Sequence, residues 1–133
     1  MGGRGASNGG RSGRAPRGYR TVGKSHRISI IKSSDPNGKI LPTTAKPNSQ
    51  YLGMNRKGVV KQLRIYDKNG KVKKDIDWGH IFNKHPKGTV HCHKWEKGSR
   101  EKTHSLLTKS EVLKYKKAIE KATGRKDLIW EWK

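Results

Sequence analysis

Residues 59–78 read VVKQLRIYDKNGKVKKDIDW, from Val59 to Trp78, and this stretch decides the expected fold. Val59 to Tyr66 alternates, with Val59, Leu63 and Ile65 on one face and Gln62 and Arg64 on the other. That is the period-two pattern of a half-buried strand. Asp67-Lys68-Asn69-Gly70 follows as a hairpin turn, because Asn-Gly supplies the positive φ that tight turns need. Lys71 to Trp78 then returns as a second strand, with Val72, Ile76 and Trp78 on one side and Lys73, Asp75 and Asp77 on the other.

Downstream, Gly79 to Gly88 reads as a loop broken by Pro86, Thr89 to Glu96 as a third strand, and Lys97 to Lys102 as a charged turn. A helix comes next. Thr108-Lys109-Ser110-Glu111 has capping-box spacing, Val112, Tyr115, Ile119 and Ala122 form one stripe widened by Leu113, and Gly124 stops it. Leu128, Trp130 and Trp132 alternate with Ile129 and Glu131 as a closing strand, and both tryptophans are expected to pack in the core. The expected fold class is α+β: a small antiparallel sheet, made of the hairpin plus a third and a last strand, packed on one C-terminal helix.

Upstream the composition is different. Residues 1–57 carry 12 Lys/Arg and one acid, Asp35, a net +11, with only seven Leu, Ile, Val or Phe. Residues 58–133 carry 20 basic and nine acidic residues, also +11, with 16 such apolar residues and all four tryptophans. Residues 1–23 hold eight glycines, five arginines and no acid. A segment that buries so little cannot offset its backbone entropy, so a disordered basic Arg/Gly tail is expected there. It lacks the apolar stretch of a secretory signal, and its glycines oppose the amphipathic helix of a transit peptide. Residues 24–57 read as a linker, with one short strand at Arg27-Ile28-Ser29-Ile30-Ile31 and turn signals at Asp35-Pro36-Asn37-Gly38. The compact domain is expected over 58–133.

The whole chain of 133 residues carries 32 Lys/Arg against 10 Asp/Glu, a net +22, and is 29% hydrophobic. A large single-core enzyme is excluded, and so is a helical membrane span, which needs ~18 apolar residues in a row. The single cysteine, Cys92, cannot form an internal disulfide, and its alternation with His91 and His93 makes it a small core residue. So much positive charge brings the chain to nucleic acid, RNA or DNA, through phosphate contacts. No helix-turn-helix, zinc-finger or RNA-recognition strand motif is present in the sequence.

Five of the six histidines, His80, His85, His91, His93 and His104, fall within 25 residues. His91 and His93 share a strand face about 7 Å apart, Asp75 and Asp77 share a face of the neighbouring strand, and His80 lies at its exit. Three readings stand side by side. The first is metal-independent cleavage of RNA by 2′-hydroxyl attack. It needs a base, an acid and cations for the phosphate, and imidazole suits both proton roles because its pKa of about 6.5 lies near working pH. His91 and His93 then act as acid and base, His80 replaces either, and Asp77 orients a histidine tautomer. Lys94 and Arg100 contact phosphate, with Arg64 and Trp95 as further RNA-binding residues. The second is a zinc site at His91, His93 and His80 or Asp77 with an open position; no Cys-x-x-Cys stands behind it. The third is that the histidines are solvated or touch phosphate, the role assigned to His85 and His104. No cofactor is expected.

At Tyr66-Asp67-x-Asn69-Gly70, Asp75-Ile76-Asp77, Gly79-His80 and His91-x-His93-x-Trp95 the chain resembles the C-terminal toxin domains of bacterial polymorphic toxins. Such domains are also appended to phage head proteins. The resemblance covers Val59 to Lys133 and implies a predicted ribonuclease of the barnase/colicin-type fold, with Asp77, His80, His91 and His93 at its site. It also implies an immunity protein or a phage head protein as partner, and a place in the bacterial cytoplasm or a phage particle. The opening Gly2-Gly3-Arg4-Gly5-Ala6-Ser7 is similar to a glycine-rich segment of phage minor head proteins. Toxin domains ride on long delivery proteins, whereas here a start Met precedes only a tail, which leaves delivery open. The alternative function is a non-catalytic, phage-encoded nucleic-acid-binding or capsid-associated protein.

Overall fold

The computed structural model describes residues 15–80 and 84–133, with the backbone alone at Lys102 and Thr103. Among the described residues seven strands come before one helix: β1 (Tyr19–Ser25), β2 (Ile28–Ser33), β3 (Gln50–Met54), β4 (Val60–Tyr66), β5 (Val72–Asp77), β6 (His91–Glu96), β7 (Ser99–Leu106) and α1 (Lys109–Thr123). The class is α+β. The sheet is larger than expected and mixed. Its strands lie in sequence order, β2 and β3 run parallel, and the other neighbours are antiparallel.

The division at residue 58 is corrected. Residues 24–57 are no linker, since they supply β2, β3 and the buried Ile28, Ile30, Ile31, Leu41, Tyr51 and Leu52. The expected tail loses Tyr19–Gly23 to β1, while residues 1–14 lie outside the described residues. The average composition of this half hid a run, Ile28 to Ile31, that is buried on both faces of the sheet. Its Ile28 and Ile30 join the helix-side core and Ile31 joins a second core on the other side. Burying such a side chain stabilises by about 1.5–3 kcal/mol, which a composition average does not register. The edge strand β1 keeps Arg20 and Lys24 away from the core, and charge on an edge discourages pairing with another chain.

The central hairpin forms as its turn chemistry requires. Asp67 Oδ1 accepts the Asn69 and Lys71 amides, the Gly70 amide donates to the Asp67 carbonyl at 3.0 Å, and Gly70 sits at φ +78°. A Cβ there would also collide with the Ala45 carbonyl. Two bulges shift the faces read from strict alternation. One lies opposite Gly53/Met54, so Val60 is buried where Val59 was expected and Val59 is 49% exposed. Another, at Ile65/Tyr66, puts Val72 in the second core rather than beside Ile76.

Helix α1 packs on one face of the sheet through Val112, Tyr115, Ala118 and Ile119, in one core with Leu52, Leu63, Ile76 and Cys92. Its capping box is complete, with Thr108 Oγ1 accepting the Glu111 amide and Glu111 Oε1 accepting the Thr108 amide. Gly124 ends it at φ +70°. Leu113 does not widen the stripe, for it is 75% exposed. The expected closing strand is reduced to two isolated parallel bridges, Thr89 with Ile129 and Leu107 with Trp132. Trp130 packs partly buried against the core, but Trp132 is half exposed under Lys109 Nζ. The third strand begins at His91 rather than Thr89, and the expected charged turn is a tight Lys97-Gly98 turn opening β7.

The opposite face of the sheet is divided. Under β2–β4 it is covered by the connection from Ser34 to Ser49, whose Ile40, Leu41 and Ala45 meet Ile31, Tyr51 and Tyr66. Over β5–β7 it carries acids and imidazoles instead. No helix among the described residues is long and apolar enough to cross a membrane.

Candidate functional site: four histidines beside two aspartates

Register assembles the site. Asp75 pairs with His93 and Asp77 with His91 across β5 and β6, and His93 pairs with His104 across β6 and β7. Because strand side chains alternate, these residues share the face away from α1, while Cys92 and Ile76 enter the helix-side core. His80 reaches the same place by a different route. Asp77 Oδ1 accepts the Gly79 amide at 3.0 Å, which turns the chain out of β5 and folds His80 back over the face.

Four imidazoles thereby converge. One ring nitrogen from each of His80, His91, His93 and His104 can be chosen so that all lie within 4.8 Å of one another. His91 and His93 are buried, His104 is half-buried, and the His80 side chain is 45% exposed at the mouth. Thr89 fixes the tautomer of His91, because its carbonyl, 3.0 Å from Nδ1, can only accept. The Nε2 of a neutral His91 is then an acceptor, and His80 Nε2, 3.1 Å away, donates to it. The other nitrogen of His80, Nδ1, faces Asp77 Oδ1 at 3.7 Å.

His93 is the anomaly. Both its ring nitrogens are buried, and neither has a hydrogen-bond partner among the described residues. A buried polar group in that state costs about 1–3 kcal/mol. Burial, reinforced by the charges of Arg100, His104 and His91, pushes its imidazole down to about 3. Burial also lowers His91, against the Thr89 carbonyl and Asp77. It lowers His104 too, where the charges of His80 and Arg100 act in the same direction. Burial opposes ionisation of Asp77, yet the Gly79 amide, His80, His91 and Arg100 hold its carboxyl below the ordinary value.

The cations expected at the site separate into three fates. Arg100 Nη2 donates to Asp77 Oδ2 at 3.0 Å, its Nε lies 3.6 Å from Asp75 Oδ2, and its side chain is 37% exposed. It stands at the rim with donors to spare. Arg64 is structural: it is 8% exposed, grips Asp75 with two nitrogens and donates to the Leu41 and Pro42 carbonyls. Lys94 is exposed and, alternating with His93, projects from the opposite face. Trp95 is tied down as well, its Nε1 donating to Asp75 Oδ2 at 2.9 Å and its ring lying under the Arg64 guanidinium.

His85 stays apart, 3.8 Å from Glu131. His104 does not, and the solvated role expected for it is corrected. It was missed because Lys97 to Lys102 reads as a loop; the adjacent Lys97-Gly98, both at positive φ, carried the signal of a two-residue hairpin that brings His104 back to His93.

Comparison with protein-family models, with curated proteins and with solved structures returns no match.

Proposed function

We propose that the protein cleaves RNA by 2′-hydroxyl attack at the mouth of the histidine cluster. The observation that carries this reading is the Asp77–His80–Arg100 group. A partly exposed imidazole and a partly exposed guanidinium flank one carboxylate, at 3.7 and 3.0 Å. Arg100 neutralises charge on the phosphorane with the donors that Asp75 and Asp77 leave over. His80 and His104, the two imidazoles that are not fully enclosed, take the acid and base roles. His104 is the base, kept neutral by burial and by the charges of His80 and Arg100. His80 is the acid: with its Nδ1 turned toward Asp77 Oδ1 at 3.7 Å, it gives the Nε2 proton that rests against His91 in the free protein to the leaving 5′-oxygen. His91 and His93, expected as the acid–base pair, form the floor on which His80 and His104 rest.

The likeness of Asp75-Ile76-Asp77 and His91-x-His93 to polymorphic-toxin motifs argues the same way, and brings with it an immunity or phage head protein as partner. A second reading, nucleic-acid binding without cleavage, is favoured by the net charge of +22. Labelled RNA incubated with the full chain in EDTA separates them. Cleavage leaving 2′,3′-cyclic phosphate, lost in His80→Ala and His104→Ala, supports the enzyme. Intact RNA that only shifts on a gel, equally for all three proteins, leaves the binder.

A further inference from the structure

We propose that His80, His91, His93 and His104 form a four-coordinate site for a divalent transition-metal ion of the zinc class, and that filling it silences RNA cleavage. The first half stands on its own; the second rests on the function proposed above.

The cluster has the architecture of a metal centre rather than of a hydrogen-bond network. With metal–nitrogen bonds of ~2.0–2.1 Å, a tetrahedral site has ligand-to-ligand edges of about 3.3–3.4 Å. His80 Nε2 and His91 Nε2 are 3.1 Å apart, already near such an edge. The whole set of four nitrogens spans no more than 4.8 Å. Metal-bound histidines hold their second nitrogen with a carbonyl or carboxylate. His91 does so through Thr89 at 3.0 Å, and Asp77 Oδ1 faces the second nitrogen of His80 at 3.7 Å. The buried His93, 3% exposed in the middle of the group, has no hydrogen-bond partner among the described residues, and a cation at the site would engage one of its two ring nitrogens.

Three of the four ligands come from paired strands, so the site is preorganised by sheet register and not by a flexible loop. An all-imidazole set suits zinc, cobalt, nickel and copper and disfavours magnesium and calcium. Four protein ligands also close the coordination shell, whereas catalytic zinc keeps one position open. A filled site therefore removes His80 and His104 from proton transfer without offering a metal-bound water in exchange.

The test uses the full chain stripped with EDTA and then freed of chelator. Cobalt(II) is titrated in and read by visible absorption. The expected result is one equivalent bound with the intense bands of a tetrahedral ion, displaced by one equivalent of zinc. His80→Gln, at the exposed mouth, and His93→Phe weaken binding at least 100-fold, while His85→Gln leaves it unchanged. Circular dichroism checks folding, and His80→Gln serves if His93→Phe fails to fold. Absence of the bands, or bands equally strong in folded His80→Gln and His93→Phe, overturns the site. The RNA assay is then run with and without one equivalent of zinc. Cobalt binding with RNA intact in both states leaves the site standing and removes the cleavage reading. Cleavage by the metal-free, chelator-free chain that one equivalent of zinc abolishes supports silencing, and cleavage that zinc leaves unchanged or enhances overturns it.

Discussion

Asp75, fully buried in the sheet, accepts a two-pronged contact from Arg64, Nε to Oδ1 at 2.6 Å and Nη2 to Oδ2 at 3.2 Å. The pair lies between Tyr51 and His93 along one row of the sheet, so it joins the second core to the histidine cluster. Removing one partner of a buried pair leaves a charge without compensation, at a cost of about 3–5 kcal/mol. Arg64→Leu should therefore lower the urea midpoint sharply, and the double variant Arg64→Leu/Asp75→Leu should recover much of the loss. A direct phosphate role predicts weaker RNA binding at unchanged stability, and that outcome would refute the structural assignment.

Stability should fall as pH drops below neutrality. His93 is held neutral in the fold, with its imidazole at about 3, whereas in the unfolded chain it titrates near ~6.5. A folded value below the unfolded one means that protons favour the unfolded state. The contribution is whole above pH ~6.5 and is lost between there and pH ~3, at up to ~1.4 kcal/mol per pH unit. His91 and His104, also lowered, act in the same direction. Urea unfolding in EDTA at pH 8, 7, 6 and 5 checks this, and His93→Phe should flatten the profile. Equal midpoints from pH 8 to 5 for the native chain would contradict it.

The helix offers a contrast between two aliphatic positions. Ile119 is fully buried and Leu113 is 75% exposed. Ile119→Ala should cost about 2–5 kcal/mol, whereas Leu113→Gln should stay within about 0.5 kcal/mol of the native chain. Thr108→Ala, which breaks the capping box, should cost about 1 kcal/mol. Thermal unfolding ranks all three, and a Leu113 effect as large as that of Ile119 would place the helix face wrongly.

Arg100 and Lys94 divide the expected phosphate contacts. Arg100 stands at the rim beside Asp77, and Lys94 projects from the other face of the sheet. If RNA is cleaved at this rim, Arg100→Ala should slow single-turnover cleavage by about 10²–10³-fold. Lys94→Ala should leave it unchanged. Equal losses from both would point to diffuse charge rather than a clamp.

Much of the chain is legible without its tertiary structure, and the legible parts are local. The Asp67–Gly70 turn, the Thr108/Glu111 capping box and the Gly124 stop each close within four residues, so the short sequence window contains every group that makes them. The alternation of Asp75, Asp77, His91 and His93 on two neighbouring strands was equally readable, because the strand period is two. Val59 and Val72 went astray at bulges, where one inserted residue reverses the face of every later residue in the strand.

The sequence by itself determined an α+β chain with a capped C-terminal helix, a strong positive charge and histidines gathered around β5 and β6. Only the tertiary structure decided that β1, β2 and β3 belong to the same sheet, that Arg64 is enclosed by Asp75, Leu41 and Pro42, and that His104 completes the cluster. The reason is range. Pairing β2 with β3 spans a loop of 16 residues, and placing His104 beside His93 depends on a bulged register in which β7 holds extra residues. Register is fixed by which faces can be buried together across the whole sheet, and no single strand carries that information.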